Sequence, residues 1–476
     1  MLGRARTSAK RSVVRWLRRR EKARRARTPG FRGLTPDLWG YEVGDDGQLG
    51  LQGFRLASLV EQFGSPLHVV SLPWLRKTHA AFLAPFASQY ARVRLATSYK
   101  TNPVPAVLRA LHDQGTYAEV ISEFELWLAE RVGLPGERII VNGPGKTSRM
   151  LVRAVEIGAR SINVDTPSEI ETIAAAADRI GRKQFVGVRV VTSVGWSSQF
   201  GLPIATGDAL AAFERIVKHR SLIPAALHLH IGTGLKDVAA YGRAIREVLE
   251  FSALLRSRLG INVDLYDLGG GFGVPTVRGY DSWDDEMVAS GEPALEAFPP
   301  DCPTPADYAS MVLGVFRQLL PAGASPEIVF EPGRAITSSA QTLVLRVLAV
   351  KETGGTRKLI LDGGKNITLP LGWEVHKIFP ATGFARAFDT KCDLYGPLCH
   401  PGDIVAQNLT LPRLEPGELL AVMDAGAYFI PNQMNFSNPR PAIVAVDSNG
   451  VSLVRRRESY EDIVRLDEFD SSTDGG

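Results

Sequence analysis

Between about His68 and Phe330 the chain repeats one texture: short β-branched runs alternate with longer helical patterns. The runs are "LHVVS", "VRLATSY", "RIIVNG", "SINVD", "FVGVRVV", "AALHLHIG", "VDLYDLGGGFG" and "EIVFEPG", separated by stretches such as "PSEIETIAAAADRIG". About eight β/α repeats in about 260 residues match a (β/α)8 barrel in count and size. After Ala335 the texture becomes strands without long helices, "QTLVLRVLAVKE", "RKLILDGG", "ELLAVMDAGAY" and "PAIVAVD" among them. The expected fold class is therefore α/β, with a barrel over 64–334 and a C-terminal β-domain over 335–465. A hairpin-like entry over 37–63 is expected to join that β-domain. Tyr280 to Pro305, with seven acids and six prolines or glycines, reads as a loop insertion within the barrel.

Charge is distributed unevenly. Residues 1–27 carry twelve Lys and Arg against one Glu, so the rest of a chain whose net charge is +4 carries −7. The basic arm, 1–36, is expected to be disordered; an organellar leader, or a nucleic-acid, membrane or acidic-partner contact, is the alternative. The end, 466–476, reads as an acidic tail. No apolar run approaches the roughly 18 residues of a membrane span, and the cytoplasm is the default compartment. Three cysteines without a CxxC pair argue against a disulfide scaffold or a cysteine zinc site.

A barrel gathers its chemistry at the C-terminal ends of its strands. Lys100 ends one, in "ATSYKTNP". Buried there, its amine is expected to have a depressed pKa and to suit Schiff-base chemistry with an aldehyde. "HLHIGTG", "DLGGGFG" and "EPGRA" end three further strands with glycines, where backbone N–H groups can approach a phosphate and Arg334 can clamp one. His228 and His230 share a strand face, but with no third ligand nearby no metal is expected. A lysine for an aldehyde, a phosphate cradle, an imidazole for an aromatic face and a carboxylate for a ring nitrogen together are what pyridoxal 5'-phosphate requires.

From roughly Gly64 to Val446 the chain resembles the fold-type III, alanine racemase-like PLP-dependent decarboxylases of diaminopimelate, ornithine and arginine. "SYKTN" resembles their cofactor-lysine motif, which implies that Lys100 forms the internal aldimine. "HLHIGTG" implies that His230 stacks on the ring and Thr233 meets phosphate. "GGGFG" and "EPGR" imply that Gly270, Gly271, Gly333 and Arg334 hold phosphate and that Glu331 pairs with the ring nitrogen. "AEVISEFEL" resembles a segment near the cofactor, with Glu119 in place of the usual Asp and Glu125 retained, and Arg189 resembles the strand arginine beside it. "DAGAY" implies a phosphate-touching Tyr428. "YGPLCHPGD" resembles the GPxC motif, so Cys399, contributed across a head-to-tail homodimer, is implied to reprotonate the quinonoid carbon after CO2 leaves.

The chain departs from that family where substrate ends are read. His400 stands where diaminopimelate enzymes carry Glu, and "DGGKNITLPLGWEVHKI" has no arginine where they have one. Gln199 replaces a lysine that pairs across the dimer, which leaves Asp403 in doubt of its partner. Asp362, Lys365, His376, His400 and Asp403 are the substrate-binding candidates. The expected substrate is an amino acid or amino-acid conjugate, such as one tethered to a carrier protein, with diaminopimelate as the alternative. An inert regulatory homologue is the second alternative, although none of the lysine and phosphate positions is lost.

Overall fold

The computed structural model describes residues 2–29, 31–196 and 198–468. Eight parallel strands close into a barrel: Val93–Ser98, Tyr117–Val120, Ile139–Val141, Ser161–Val164, Gln184–Val191, Leu222–Leu229, Leu265–Asp267 and Glu327–Phe330. Each pairs with the next, and Glu327–Phe330 closes on Val93–Ser98 through the Ile328–Val93 register. The run "LHVVS" does not enter this ring. Leu67–Ser71 is buried along its length and pairs antiparallel with Gln341–Thr353 and parallel with Ala442–Asp447, so it is a strand of the β-domain. A short run buried on both faces is equally suited to either sheet, and periodicity alone does not choose between them.

Alternation along the barrel strands stacks their inward side chains in three layers. At the floor, Glu327 accepts from the Tyr117 hydroxyl at 2.9 Å and from Arg160 at 2.6 Å. Above it Ala96, Ile140, Ala226, Leu265 and Val329 form a small apolar plug. The top layer is polar and opens towards the strand ends. The layers are separated by two residues on each strand, as Glu327, Val329 and Glu331 illustrate.

The β-domain is a nine-stranded sheet that includes Gln341–Thr353, Thr356–Leu361, Thr390–Tyr395, Ile404–Leu411, Leu419–Val422 and Ala442–Asp447. The entry strands Tyr41–Val43 and Leu49–Leu51 pack on it, with Trp39, Leu49 and Leu51 buried against Phe379, Ala421 and Val444. The domain returns to the barrel mouth through a tight loop at 424–428. Gly426 is required there, because a Cβ would lie 1.8 Å from the Thr337 carbonyl oxygen. The buried carboxylate of Asp424 anchors this loop by accepting from Trp39 Nε1 at 2.8 Å, Thr276 at 3.0 Å and Ser338 at 3.1 Å.

Part of the basic arm, for which disorder was the expectation, is helical in the structure. Leu2–Ala26 is a helix seated on the acidic insertion, itself partly helical at Ser282–Ala289. Arg18 pairs with Glu292 at 2.6 Å and donates to the Pro293 carbonyl, Arg24 pairs with Asp301 at 2.9 Å, and Arg24 and Arg25 both lie over the Phe298 ring. The physical reason is charge matching between two segments some 270 residues apart. Of the expected acidic tail, residues 469–476 lie outside the described residues. Among the described residues no helix is long and apolar enough to cross a membrane.

Candidate active site

The top layer of the barrel is the floor of a cavity of about 260 Å³ lined by Lys100, Glu119, Asn142, Arg189, His228, His230, Thr233, Gly271, Glu331, Gly333, Arg334 and Tyr428. Ten residues proposed from sequence thus meet in one place, drawn from six strand ends and the β-domain loop. Gly270 sits beside them and donates its backbone N–H to His230 Nδ1 at 3.2 Å.

Lys100 leaves the turn that follows Val93–Ser98, and 38% of its side chain faces the cavity. Its Nζ is 3.6 Å from Glu119 Oε2, and that oxygen also accepts from the Ser98 hydroxyl at 2.5 Å. Burial alone pulls the amine down, but Glu119 and Glu331 outweigh it and hold its pKa above the ordinary lysine value. This reverses the depressed pKa expected from burial, because the opposing carboxylates arrive from other strands.

Glu331 is fully buried at the barrel axis. Its Oε1 accepts from Asn142 Nδ2 at 2.7 Å; Asn142 in turn accepts from Asn163, and Asn163 from the Ser161 hydroxyl. The same Asn142 nitrogen is 3.4 Å from Glu119. Burial, then the charges of Asp267 and Glu119, push the Glu331 carboxyl well above its usual range, and Asp267 rises to about 7 mainly through burial. His228, Asp267 and Glu331 offer ligand atoms within 4.8 Å of one another, and neither His228 ring nitrogen nor Asp267 Oδ2 has a hydrogen-bond partner among the described residues. His230 is pushed down to about 3 by burial and by the Lys100 and Arg189 charges, so its ring is neutral; with Nδ1 accepting from Gly270, the proton is on Nε2.

The glycine loops converge at the rim. Leu235 N–H donates to the Gly271 carbonyl at 2.8 Å, and a Cβ on Gly271, whose φ is +84°, would lie 1.9 Å from the Gly232 oxygen. A Cβ on Gly333 would meet the Thr101 hydroxyl at 2.4 Å. Tyr428, at φ +66°, donates its backbone N–H to the Thr101 carbonyl and lies under the Arg334 guanidinium at 4.9 Å. Arg334 itself is held on both terminal nitrogens by Glu374, at 2.5 and 2.7 Å. Arg189 lies over the Phe200 ring at 4.4 Å.

Other sequence candidates sit apart from the cavity lining. Glu125 is buried at a helix N-terminus, accepts from the Ile121 N–H at 2.8 Å, and is pushed up to about 7 by burial and by Glu119. Asp403 is buried with its oxygens on the backbone N–H groups of Lys365 and Leu398, both at less than 3 Å, so it ties two loops together. Asp362 accepts from the Arg346 N–H at 2.8 Å away from the cavity. Cys399 is exposed on the loop that Asp403 ties, as is His400, whose Nδ1 accepts from Gly402 N–H. His376 donates from Nδ1 to the Met423 carbonyl at 2.9 Å, and its Nε2 lies 3.0 Å from Glu374 Oε2. Lys365 and His376 line a neighbouring groove. Sequence reasoning passed over Asn142, Asn163, Trp196, Phe200 and Glu374. The signal for the two asparagines was present, since each is the inward polar residue that follows "RIIV" or "SI" at a barrel strand's end.

A barrel whose upper layer presents one lysine, a buried carboxylate, a neutral imidazole and three glycine loops defines a pyridoxal-phosphate barrel. The model for the pyridoxal binding domain of pyridoxal-dependent decarboxylases matches residues 76–338, and the chain belongs to that family. It is 30% identical to the diaminopimelate decarboxylase of Zymomonas mobilis over 88% of this chain and 96% of that one, and 31% identical to that of Actinosynnema pretiosum over 88% and 92%. The crystal structure of the Methanocaldococcus jannaschii diaminopimelate decarboxylase superposes with a TM-score of 0.81 at 26% identity, covering 91% of this chain and 98% of that one. The chain is accordingly a PLP-dependent carboxy-lyase acting on an amino acid. The site fits that cofactor: the unpartnered atoms beside Glu331 and the close-packed glycine loops are where a ring nitrogen and a phosphate need a carboxylate and backbone N–H groups.

Proposed function

We propose that the chain decarboxylates diaminopimelate, the substrate named for the relatives that share nine-tenths of its length. The observation that carries the reading is that Lys100, Glu331 and Tyr428 share one cavity, with Lys100 Nζ beside Glu119. Bound pyridoxal phosphate supplies the electron sink for the bond between Cα and the departing carboxylate. Lys100 would hold the cofactor's aldehyde end, with its amine kept beside Glu119. Glu331, aimed by Asn142, keeps a proton on the ring nitrogen, and Asp267 beside it sets how readily that proton is shared. His230 covers the ring's face, and Gly270, Gly271, Gly333, Thr233 and Tyr428 receive the phosphate. Cys399 of a second copy, placed over the cavity in a head-to-tail homodimer, returns the proton to Cα; its exposure on a loop tied down by Asp403 supports that role.

A second reading, an amino-acid conjugate in place of free diaminopimelate, is favoured by a groove of about 630 Å³ lined by Lys365, Glu374 and His376 next to the cavity. Such a groove offers room for a substrate longer than a free amino acid. The test is CO2 release from meso-diaminopimelate by the PLP-loaded protein, with Lys100→Ala as control. Release that the control abolishes supports the first reading. No release from a protein that binds the cofactor rejects it and directs the search to conjugates.

A further inference from the structure

The cavity and the neighbouring groove meet at one ion pair. Arg334 lines the cavity and Glu374 lines the groove, and the two are joined bidentately at 2.5 and 2.7 Å. Both side chains are largely enclosed, at 15% and 8% exposure, and Glu374 Oε2 is also 3.0 Å from His376 Nε2. His376 is fixed from its other side by the Met423 carbonyl. A guanidinium presented in this fork geometry is a receptor for a carboxylate, and here the chain supplies the carboxylate itself. Both terminal nitrogens are in use.

We propose that Glu374 is a specificity-determining residue that competes, from within the chain, for the place on Arg334 that a substrate's far-end carboxylate would take. The inference rests on the reading of this cavity as the decarboxylase site. A ligand bearing a second carboxylate must displace Glu374 to reach Arg334, and a displaced Glu374 leaves a buried carboxylate facing His376 alone. The second carboxylate therefore brings little net affinity in the chain as it stands. A substrate whose side chain is uncharged at that point, such as an amide-linked extension running into the groove, leaves the pair intact.

Meso-diaminopimelate and L-lysine differ by that one carboxylate and are the probes. Binding to the PLP holoenzyme is read from the cofactor's absorbance change on rapid mixing, before turnover. The holoenzyme is expected to bind the two within about threefold of each other, and Glu374→Gln to favour diaminopimelate by at least about tenfold more, as a recovered charge-assisted fork would. A holoenzyme that already favours diaminopimelate by more than about tenfold overturns the proposal without any variant. So does a Glu374→Gln protein with an intact cofactor band and an unchanged ratio. If the unaltered holoenzyme releases no CO2 from diaminopimelate while Glu374→Gln gains affinity for it, the substrate assignment fails and the role of Glu374 stands.

Discussion

The floor and the mouth of the barrel each hold a buried glutamate on the same strand, four residues apart, and the chain treats them differently. Glu327 at the floor is satisfied by Tyr117 and Arg160, with Arg94 at 3.9 Å. Glu331 at the mouth has Asn142 and lies beside Asp267 and His228, whose atoms include some with no hydrogen-bond partner among the described residues. Buried polar groups are normally paired, because an unpaired one forfeits its hydration for nothing. The floor is finished by the chain's own side chains, whereas the mouth is completed by the cofactor.

The largest expected contrast is in activity. Glu331→Ala should lower kcat/KM by about 10³-fold or more, as loss of a proton-holding group does, while Glu327→Gln should change it by no more than a few-fold; steady-state kinetics at saturating cofactor decides. In stability the order inverts. Glu327→Ala strands Arg160 and should cost on the order of 3 kcal/mol, whereas Glu331→Ala should leave the apoprotein as stable as before or more so, as denaturant melts would register.

The mouth should also carry a pH signature. The Asp267 carboxyl lies at about 7 in the folded protein, above its unfolded value. Between those two values the folded state holds a proton the unfolded chain has released, so stability is full at low pH and is lost as pH rises towards 7. Apoprotein melts from pH 5 to pH 7.5 should show a loss on the order of 2 kcal/mol that Asp267→Asn flattens. An unchanged slope in that variant would place the proton elsewhere. The smallest effect belongs to Trp196, whose ring lies 5.9 Å from His230. Trp196→Ala should weaken PLP binding by about threefold, the worth of one aromatic contact, measured by fluorescence titration.

What the sequence made legible follows the same division. Lys100, His230, the glycine runs and Glu331 stand out because each ends a strand with a residue type that strands seldom need, and the barrel brings strand ends together. The elevated pKa of Lys100 could not be read, since it depends on Glu119 and Glu331 from other strands. Nor could the Arg334–Glu374 pair, which joins the end of the barrel to a short strand 40 residues later that pairs with Arg278–Gly279. The basic arm and the acidic insertion were each visible as charge runs, but their pairing is a tertiary fact, and the arm alone reads as disorder. "LHVVS" was assigned to the barrel because a buried strand's sequence does not record which sheet buries it.

The most direct test of the central claim, that the mouth layer exists to hold pyridoxal phosphate on Lys100, is borohydride reduction of the PLP-loaded protein followed by peptide mass mapping. The cofactor's added mass is predicted on the peptide bearing Lys100 and on no other. Added mass on a different lysine, the buried Lys146 for example, or none at all in a cofactor-saturated protein, would contradict the account.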